Sequence, residues 1–89
     1  MNSKENWVLE IQDDVWKTAA LFPAKDRKRV TRVIEALAAD PYGGDIEKMK
    51  GEENTWRRRV GAYRLFYEVR VREKIVYVFQ IERRTSKTY

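Results

Sequence analysis

The feature that most constrains the fold is a change in hydrophobic period at Trp56. Before this residue, apolar side chains recur every three to four positions, as on one side of a helix, and after it they alternate with polar ones, as in a strand. Within the alternating part, Gly61-Ala62 separates two extended runs and fits a two-residue type II′ turn, which takes glycine first. The last third of the chain therefore predicts an antiparallel hairpin that continues into a further strand.

The turns also predict which side chains share a face of the sheet. The first turn gives the pairs Val60 with Tyr63, Arg59 with Arg64 and Arg57 with Phe66. A second turn near Arg72-Glu73 gives the pairs Glu68 with Tyr77, Phe66 with Phe79, Arg64 with Ile81 and Ala62 with Arg83. One face should carry Arg57, Arg59, Arg64, Phe66, Glu68, Tyr77, Phe79 and Arg83. The other face, expected to be buried, carries Tyr63, Leu65, Tyr67, Val69, Val76 and Val78.

The first half of the chain predicts one strand and two helices. Residues 7–11 alternate as a short strand, and Asp13 or Asp14 can cap a short helix that ends before Pro23. A second helix follows, with an apolar stripe at Val30, Val33, Ile34 and Leu37. Residues 41–55 contain the turn signals PYGGD and GEENT, so we expect only a brief strand or helical turn there. The predicted fold is α+β, with two helices on one face of a twisted antiparallel sheet, in the order β-α-α-β-β-β, as one domain over residues 1–89.

Charge and composition restrict the possible functions. Residues 56–89 hold ten Lys/Arg and three acidic residues, whereas residues 1–55 hold nine basic and eleven acidic ones. Because the chain has no Cys and no His, it has no disulfide, and it lacks the usual general base near neutral pH and the usual metal ligands. We therefore expect neither a metal nor a cofactor. No apolar run has membrane-spanning length and the start is unlike a signal peptide, which favours a cytoplasmic protein without membrane contact.

A basic sheet face with interspersed aromatic side chains is typical of proteins that bind single-stranded RNA. Arginines neutralise phosphates, and rings give unpaired bases a surface to stack on. Two alternatives remain open on the residues alone. The arginines can pair with acids such as Glu68 or Glu82, and the aromatic residues can pack under the tail or under residues 41–55.

The segment KMKGEENTWRRRVGAYRLFYEVRVREKIVYVFQIERRTSKTY resembles the RelE branch of the RelE/ParE toxins. The resemblance rests on a K-[LM]-K-G block before a W-R-x-R strand, on the G-x-Y-R-[ILV]-x-Y core, and on an R-x5-Y ending. In outline it covers the whole chain. It implies a fold similar to microbial ribonucleases and the function of a type II toxin that cuts messenger RNA in the ribosomal A site and is silenced by a cognate antitoxin.

The resemblance also implies site residues. The catalytic positions fall on Arg64, Arg83 and Tyr89, and the basic positions of the preceding strand on Arg57 and Arg59. Phe66, from the face assignment, and the basic residues Arg84 and Lys87 are further candidates for binding RNA or the ribosome. The implied reaction needs no metal, because the RNA 2′-hydroxyl attacks its own phosphodiester. Tyr89 is the implied acid or base. Glu68 is a second candidate because it lies on the same predicted face, not because of the resemblance, and a salt bridge within the sheet is the alternative role for it.

Two other functions stay open. A ParE-like gyrase poison would share the fold but lack the arginine and tyrosine set, so Arg64, Arg83 and Tyr89 favour the nuclease. A non-catalytic relative that binds an antitoxin or ribosomal RNA would keep the basic face without cutting. Growth arrest on expression, lost with Arg64→Ala, is the observation expected of the nuclease.

Overall fold

A five-stranded sheet with two helices on one face makes up residues 6–84, the part of the chain that the computed structural model describes. The elements in chain order are β1 (Val8–Ile11), α1 (Asp13–Ala19), α2 (Ala24–Leu37), β2 (Ile46–Lys48), β3 (Thr55–Val60), β4 (Tyr63–Arg70) and β5 (Ile75–Arg83). The predicted α+β fold is confirmed.

The sheet order is β1-β5-β4-β3-β2, and it differs in two details from the expected arrangement. First, β1 runs parallel to β5, so the sheet is mixed, although all its other pairs are antiparallel. The two helices carry the chain from β1 over the sheet to the opposite edge, where β2 begins. Second, β2 is the brief strand allowed for in residues 41–55. Since β2 has only three residues, it is too short to show a period of two in the sequence.

The β3–β4 hairpin has the predicted register. Gly61 has a φ of 60° and Ala62 has no positive φ, as a type II′ turn requires. The predicted pairs of Val60 with Tyr63, Arg59 with Arg64 and Arg57 with Phe66 are all present.

Helix α2 packs its predicted stripe against the sheet. Val30, Ile34 and Leu37 are buried, and Val33 packs at the edge of the core. All six sheet residues predicted to face the helices are buried as well. Burying each large apolar side chain contributes about 1.5–3 kcal/mol to folding, so this layer supplies most of the favourable free energy.

Helix α1 begins differently from the prediction. Gln12 occupies the N-cap without a side-chain hydrogen bond, and Asp13 and Asp14 lie inside the first turn. The predicted aspartate cap is therefore wrong. Both carboxylates still favour the helix, because negative charge near a helix N-terminus interacts well with the exposed N–H groups.

Candidate functional site

The face of the sheet turned away from the helices, called the open face here, gathers most of the predicted site residues. Along β4, buried residues alternate with partly exposed ones, so Arg64, Phe66 and Glu68 lie on the open face. Their partners Arg59 and Arg57 on β3 lie there too. The sheet thus brings together Arg57, Arg59, Arg64, Phe66 and Glu68, all predicted from the sequence.

Glu47, on the edge strand β2, is the acidic neighbour of Arg57 in this cluster. It pairs with Arg57 across β2 and β3, and Arg57 Nη2 donates a hydrogen bond to Glu47 Oε1. This hydrogen bond and the charge of Arg57 lower the pKa of the Glu47 carboxyl, and Arg59 and Arg64 act in the same direction. Three guanidinium groups therefore act on one carboxylate, which is ionised at neutral pH.

Arg64 lies near the middle of the open face and is only a quarter exposed, with a side-chain accessibility of 25%. Its Nη1 atom is 3.8 Å from Glu82 Oε2 on β5. Arg59, directly opposite Arg64, has its Nε atom 3.9 Å from Asp45 Oδ2. Two adjacent guanidinium groups repel each other across a strand pair, and these carboxylates reduce that cost.

An aromatic row continues the open face beyond the arginines. The ring centres of Phe66 and Phe79 are 6.5 Å apart, and those of Phe79 and Tyr77 are 6.1 Å apart. At the end of the row, the Arg70 guanidinium carbon lies 4.9 Å from the Tyr77 ring centre, while Arg70 Nε donates to Glu68 Oε1 at 3.0 Å. The rings are only partly buried, so they offer surface on which bases can stack.

Carboxylates balance the arginines of the open face. Arg57, Arg59, Arg64 and Arg70 each have a carboxylate oxygen within 4.0 Å. The acids are Glu10, Asp45, Glu47, Glu68 and Glu82. The alternative in which arginines pair with acids such as Glu68 and Glu82 is therefore present in the structure. Because of these pairs, the open face is less cationic than the excess of basic residues in 56–89 suggested.

Arg83 does not lie on the open face, and its predicted placement there is wrong. The predicted register between β4 and β5 is present where Glu68 pairs with Tyr77 and Tyr67 pairs with Val78. Beyond Val78 the register shifts by one residue, so that Phe66 pairs with Gln80 and Tyr63 pairs with Arg83. Phe79 is the extra residue of a β-bulge, and each later side chain of β5 therefore changes face. The predicted pairs of Phe66 with Phe79, Arg64 with Ile81 and Ala62 with Arg83 are wrong for the same reason.

As a consequence, Ile81 is buried in the core and Glu82 takes the position beside Arg64. The Arg83 guanidinium carbon lies 5.9 Å from the ring centre of Tyr63, a core residue on the helix side. Arg84 is exposed and its backbone N–H donates to the Ala62 carbonyl at 2.6 Å. Lys87 and Tyr89 lie outside the described residues.

Arg58, the middle arginine of the WRRRV strand, makes a structural contact and does not belong to the open face. Arg58 faces the helix side, where its Nη1 atom donates to the Gly43 carbonyl at 3.3 Å. The Tyr67 hydroxyl donates to the Pro41 carbonyl at 2.6 Å, and burial raises the pKa of Tyr67 to about 12. These two bonds hold residues 41–45 against the core, and so position β2 and Glu47.

Sequence reasoning missed Glu47 because it lies in the segment expected to be mostly irregular. A signal was present: Glu47 directly precedes the K-M-K-G block, so a short strand through that block would place it beside the W-R-x-R strand. Among residues 6–84, no group of three or more acidic side chains lies together in a way that could hold a metal ion. None of the helices in that range is long and apolar enough to span a membrane.

Comparison with known proteins identifies the class of fold first. The structure superposes on the archaeal RelE–RelB complex from Pyrococcus horikoshii OT3 with a TM-score of 0.80 and 22% identity, covering 92% of this chain and 99% of the RelE-like chain. It superposes on the isolated Escherichia coli RelE toxin with a TM-score of 0.75 and 16% identity, covering 91% and 87% of the two chains. The fold is that of the RelE toxins.

Sequence comparison then identifies the family. A family model described as the ParE toxin of the type II toxin-antitoxin system, parDE, matches residues 9–87. A protein named RelE1 and described as a toxin, from Methanocaldococcus jannaschii, is 30% identical over 79 residues, which cover 85% of this chain and 88% of that protein. The chain belongs to the RelE/ParE family of type II toxins, as the sequence motifs predicted.

Proposed function

We propose that this toxin is a ribosome-dependent endoribonuclease that cuts messenger RNA in the ribosomal A site. The observation that carries the proposal is the cluster of Arg57, Arg59 and Arg64 on adjacent strands, with the Glu47 carboxylate bonded to Arg57, next to an aromatic row on an open sheet. Such a cluster combines groups that neutralise a phosphate with a group that accepts a proton, and the rings hold the neighbouring bases.

In the proposed reaction the RNA 2′-hydroxyl gives its proton to Glu47 while its oxygen forms a bond to phosphorus. The bond from phosphorus to the 5′-oxygen then breaks, and that oxygen takes up a proton. The products are a 2′,3′-cyclic phosphate and a 5′-hydroxyl. Arg64 and Arg57 are proposed to stabilise the negative charge that develops on the phosphorane, since fixed donors aimed at such charge are a major source of catalysis.

Glu47 is a better candidate for the base than Glu68. Its carboxylate pairs with Arg57, one of the arginines that would hold the phosphate, and this position favours Glu47 as the base. The lowered pKa keeps the carboxylate ionised at neutral pH but also makes it a weaker base. Glu68 instead accepts a hydrogen bond from Arg70 and lies four residues from Arg64 along β4, which is about 13 Å. Tyr89 stays the proposed proton donor on the resemblance alone. Arg83 is left out of the catalytic set because it lies on the helix side.

The test is the single-turnover cleavage rate on ribosomes for a small set of variants. Arg64→Ala should lower the rate by about 10²–10³, and Glu47→Gln by about 10²–10⁴. Glu10→Gln is the matched control, because it removes an open-face carboxylate that pairs with Arg70 rather than with the cluster. A large loss in Glu68→Gln with a normal rate in Glu47→Gln would reverse the assignment of the base.

A gyrase poison is the second candidate, and the matching family model favours it because its description names the ParE toxin of parDE. The pairing of each open-face arginine with a carboxylate also fits a surface without a catalytic role. Inhibition of DNA supercoiling by purified gyrase, with no cleavage of message on ribosomes, would establish this function instead.

We further propose that a cognate antitoxin holds this toxin inactive in the cytoplasm. Similar folds include RelE–RelB complexes from P. horikoshii and from Methanococcus jannaschii, the latter at 26% identity and a TM-score of 0.69. Addition of an equimolar amount of the cognate antitoxin should abolish cleavage, and unchanged cleavage would contradict the proposed partnership.

A further inference from the structure

Helix α2 carries a row of exposed cations that the site described above does not use. The sequence AKDRKRVTRVIEAL of α2 holds five basic residues and two acidic ones. Four of the basic residues share the side turned away from the sheet, since they are exposed while Val30, Ile34 and Leu37 are buried. We call them the cationic ridge: Lys25, Lys28, Arg29 and Arg32.

The cationic ridge is not neutralised within the part of the chain that the structure describes. No ion pair there joins a carboxylate to any of its four members. The nearest acid in sequence, Asp26, instead accepts a hydrogen bond from the Tyr63 hydroxyl at 2.7 Å. This distribution is the reverse of the open face, where every arginine has a carboxylate neighbour.

The ridge continues to the β3–β4 turn. A Cβ atom placed on Gly61 would lie 3.1 Å from Arg29 Nη1, so the guanidinium of Arg29 reaches over that turn. Arg83 lies against the Tyr63 ring, and the Tyr63 hydroxyl is bonded to Asp26 in the first turn of α2. The bulge in β5 therefore moves Arg83 from the open face to the end of the cationic ridge.

We propose that the cationic ridge binds the phosphodiester backbone of structured RNA. Neighbouring ridge side chains start about 5–6 Å apart, because residues three and four apart on a helix have Cβ atoms at that separation. A groove along the ridge is lined by Ala24 and the four cations, so it offers charge without a large apolar side chain as an anchor. Backbone phosphates are bound by such charge alone.

An amphipathic protein segment is a poorer fit to this groove, because such a segment inserts apolar side chains into an apolar surface. A second, more apolar groove lies beside the ridge between α1 and α2, where Trp16, Ala19 and Ala20 line it together with Lys28 and Arg32 of the ridge. The inference rests on the proposed function, in which the open face holds the message. The cationic ridge would then contact ribosomal RNA from the opposite side of the molecule.

The experiment measures the affinity of the toxin for ribosomes with an empty A site over a series of salt concentrations. The test variant combines Lys28→Ala, Arg29→Ala and Arg32→Ala. The control variant removes three exposed cations elsewhere, by Lys17→Ala, Lys50→Ala and Arg72→Ala. Alanine keeps the helix intact, since its helix propensity is the highest, and circular dichroism confirms that both variants fold.

We expect the test variant to bind more weakly and its slope of log affinity against log salt to fall by about two to three, because each of three lost phosphate contacts removes about 0.7 for a single strand and about 0.9 for a duplex. The control variant should keep nearly the wild-type slope. Equal slopes in the two variants would overturn the proposal, as would a wild-type protein that does not bind ribosomes. A test variant that keeps the wild-type slope but no longer binds an acidic antitoxin peptide would assign the ridge to a protein partner and also overturn it.

Binding and cleavage are measured separately, so the two proposals can fail independently. Single-turnover cleavage at saturating ribosome concentration should be unchanged in the test variant. If the test variant has a reduced salt slope and the wild-type protein does not cleave message, the result would support the cationic ridge as an RNA-binding site and reject the nuclease.

Discussion

Replacing Tyr67 by phenylalanine removes one oxygen from the core while keeping the ring that fills it. The Tyr67 side chain is fully buried, and its hydroxyl donates to the buried Pro41 carbonyl at 2.6 Å. A hydrogen bond contributes about 1 kcal/mol, and a buried acceptor left without a donor costs about 1–3 kcal/mol. We therefore expect Tyr67→Phe to lower the free energy of unfolding by about 2 kcal/mol.

Urea unfolding followed by tryptophan fluorescence measures this change, and thermal unfolding should show a melting temperature lower by about 10 °C. Tyr77→Phe is the matched control, because Tyr77 lies in the aromatic row of the open face and is only partly buried. This control should change the free energy of unfolding by less than about 0.5 kcal/mol.

The same residue predicts a loss of stability at alkaline pH. The pKa of Tyr67 is raised to about 12 in the folded protein, against about 10 in the unfolded chain. The unfolded chain therefore releases this proton first, and stability that is fully present below about pH 10 is lost as the pH rises towards 12. The loss is about 2–3 kcal/mol, since each unit of difference is worth 1.36 kcal/mol.

Burial and the hydrogen bond to Asp26 also raise the pKa of Tyr63, so a smaller alkaline loss should remain in Tyr67→Phe. An equal effect of Tyr67→Phe and Tyr77→Phe on the free energy of unfolding at pH 7 would refute this description of the Pro41 contact. So would an alkaline loss of the same size in Tyr67→Phe and the wild type.

Three further predictions concern the core, the aromatic row and the base. Ile34→Ala should destabilise the fold by about 2–5 kcal/mol because Ile34 is fully buried, whereas Glu35→Ala, on the exposed side of α2, should change the urea midpoint little. Phe66→Ala should raise KM for ribosome-bound message about tenfold, since stacking on one base is worth about 1–3 kcal/mol, and Val71→Ala in the exposed β4–β5 turn should not. With Glu47 as the base, its lowered pKa keeps the carboxylate ionised, so the cleavage rate should show no acid limb between about pH 5.5 and 8; a limb in that range would exclude Glu47.

The sequence predicts the part of the fold that depends on regular period. The stripe of α2, the buried face of β4 and the β3–β4 register follow from apolar spacing and from the Gly61-Ala62 turn, and all are present. Two strand details required knowledge of the three-dimensional chain path. β2 is too short to show a period, and a parallel pair between β1 and β5 depends on how the helices cross the sheet.

The bulge at Phe79 changed the predicted site more than any other feature. Its trace is present in the sequence, because the buried residues of β5 are spaced by two from Val76 to Val78 and by three from Val78 to Ile81. An uninterrupted alternation continued past Val78 places Arg83 on the wrong face. A three-residue gap in a strand therefore indicates a bulge, after which every face assignment must be reversed.

Charge was the property least predictable from the sequence. Residues 1–55 have an excess of acidic groups, yet α2 within them carries five basic residues and two acidic ones. The arginines of β3 and β4, in turn, form ion pairs with carboxylates on β1, β2, β5 and the segment before β2. Averages over sequence segments cannot show this, because a surface gathers residues from distant parts of the chain.

The most direct test of the central claim compares one defined message in two settings. The message is placed on ribosomes with an empty A site or left free in solution, this protein is added, and primer extension maps the cuts while the termini are identified chemically. We predict cuts only on the ribosome, within the A-site codon, with 2′,3′-cyclic phosphate ends. Absence of cleavage in both settings, or equal cleavage of free and ribosome-bound message, would contradict a ribosome-dependent nuclease.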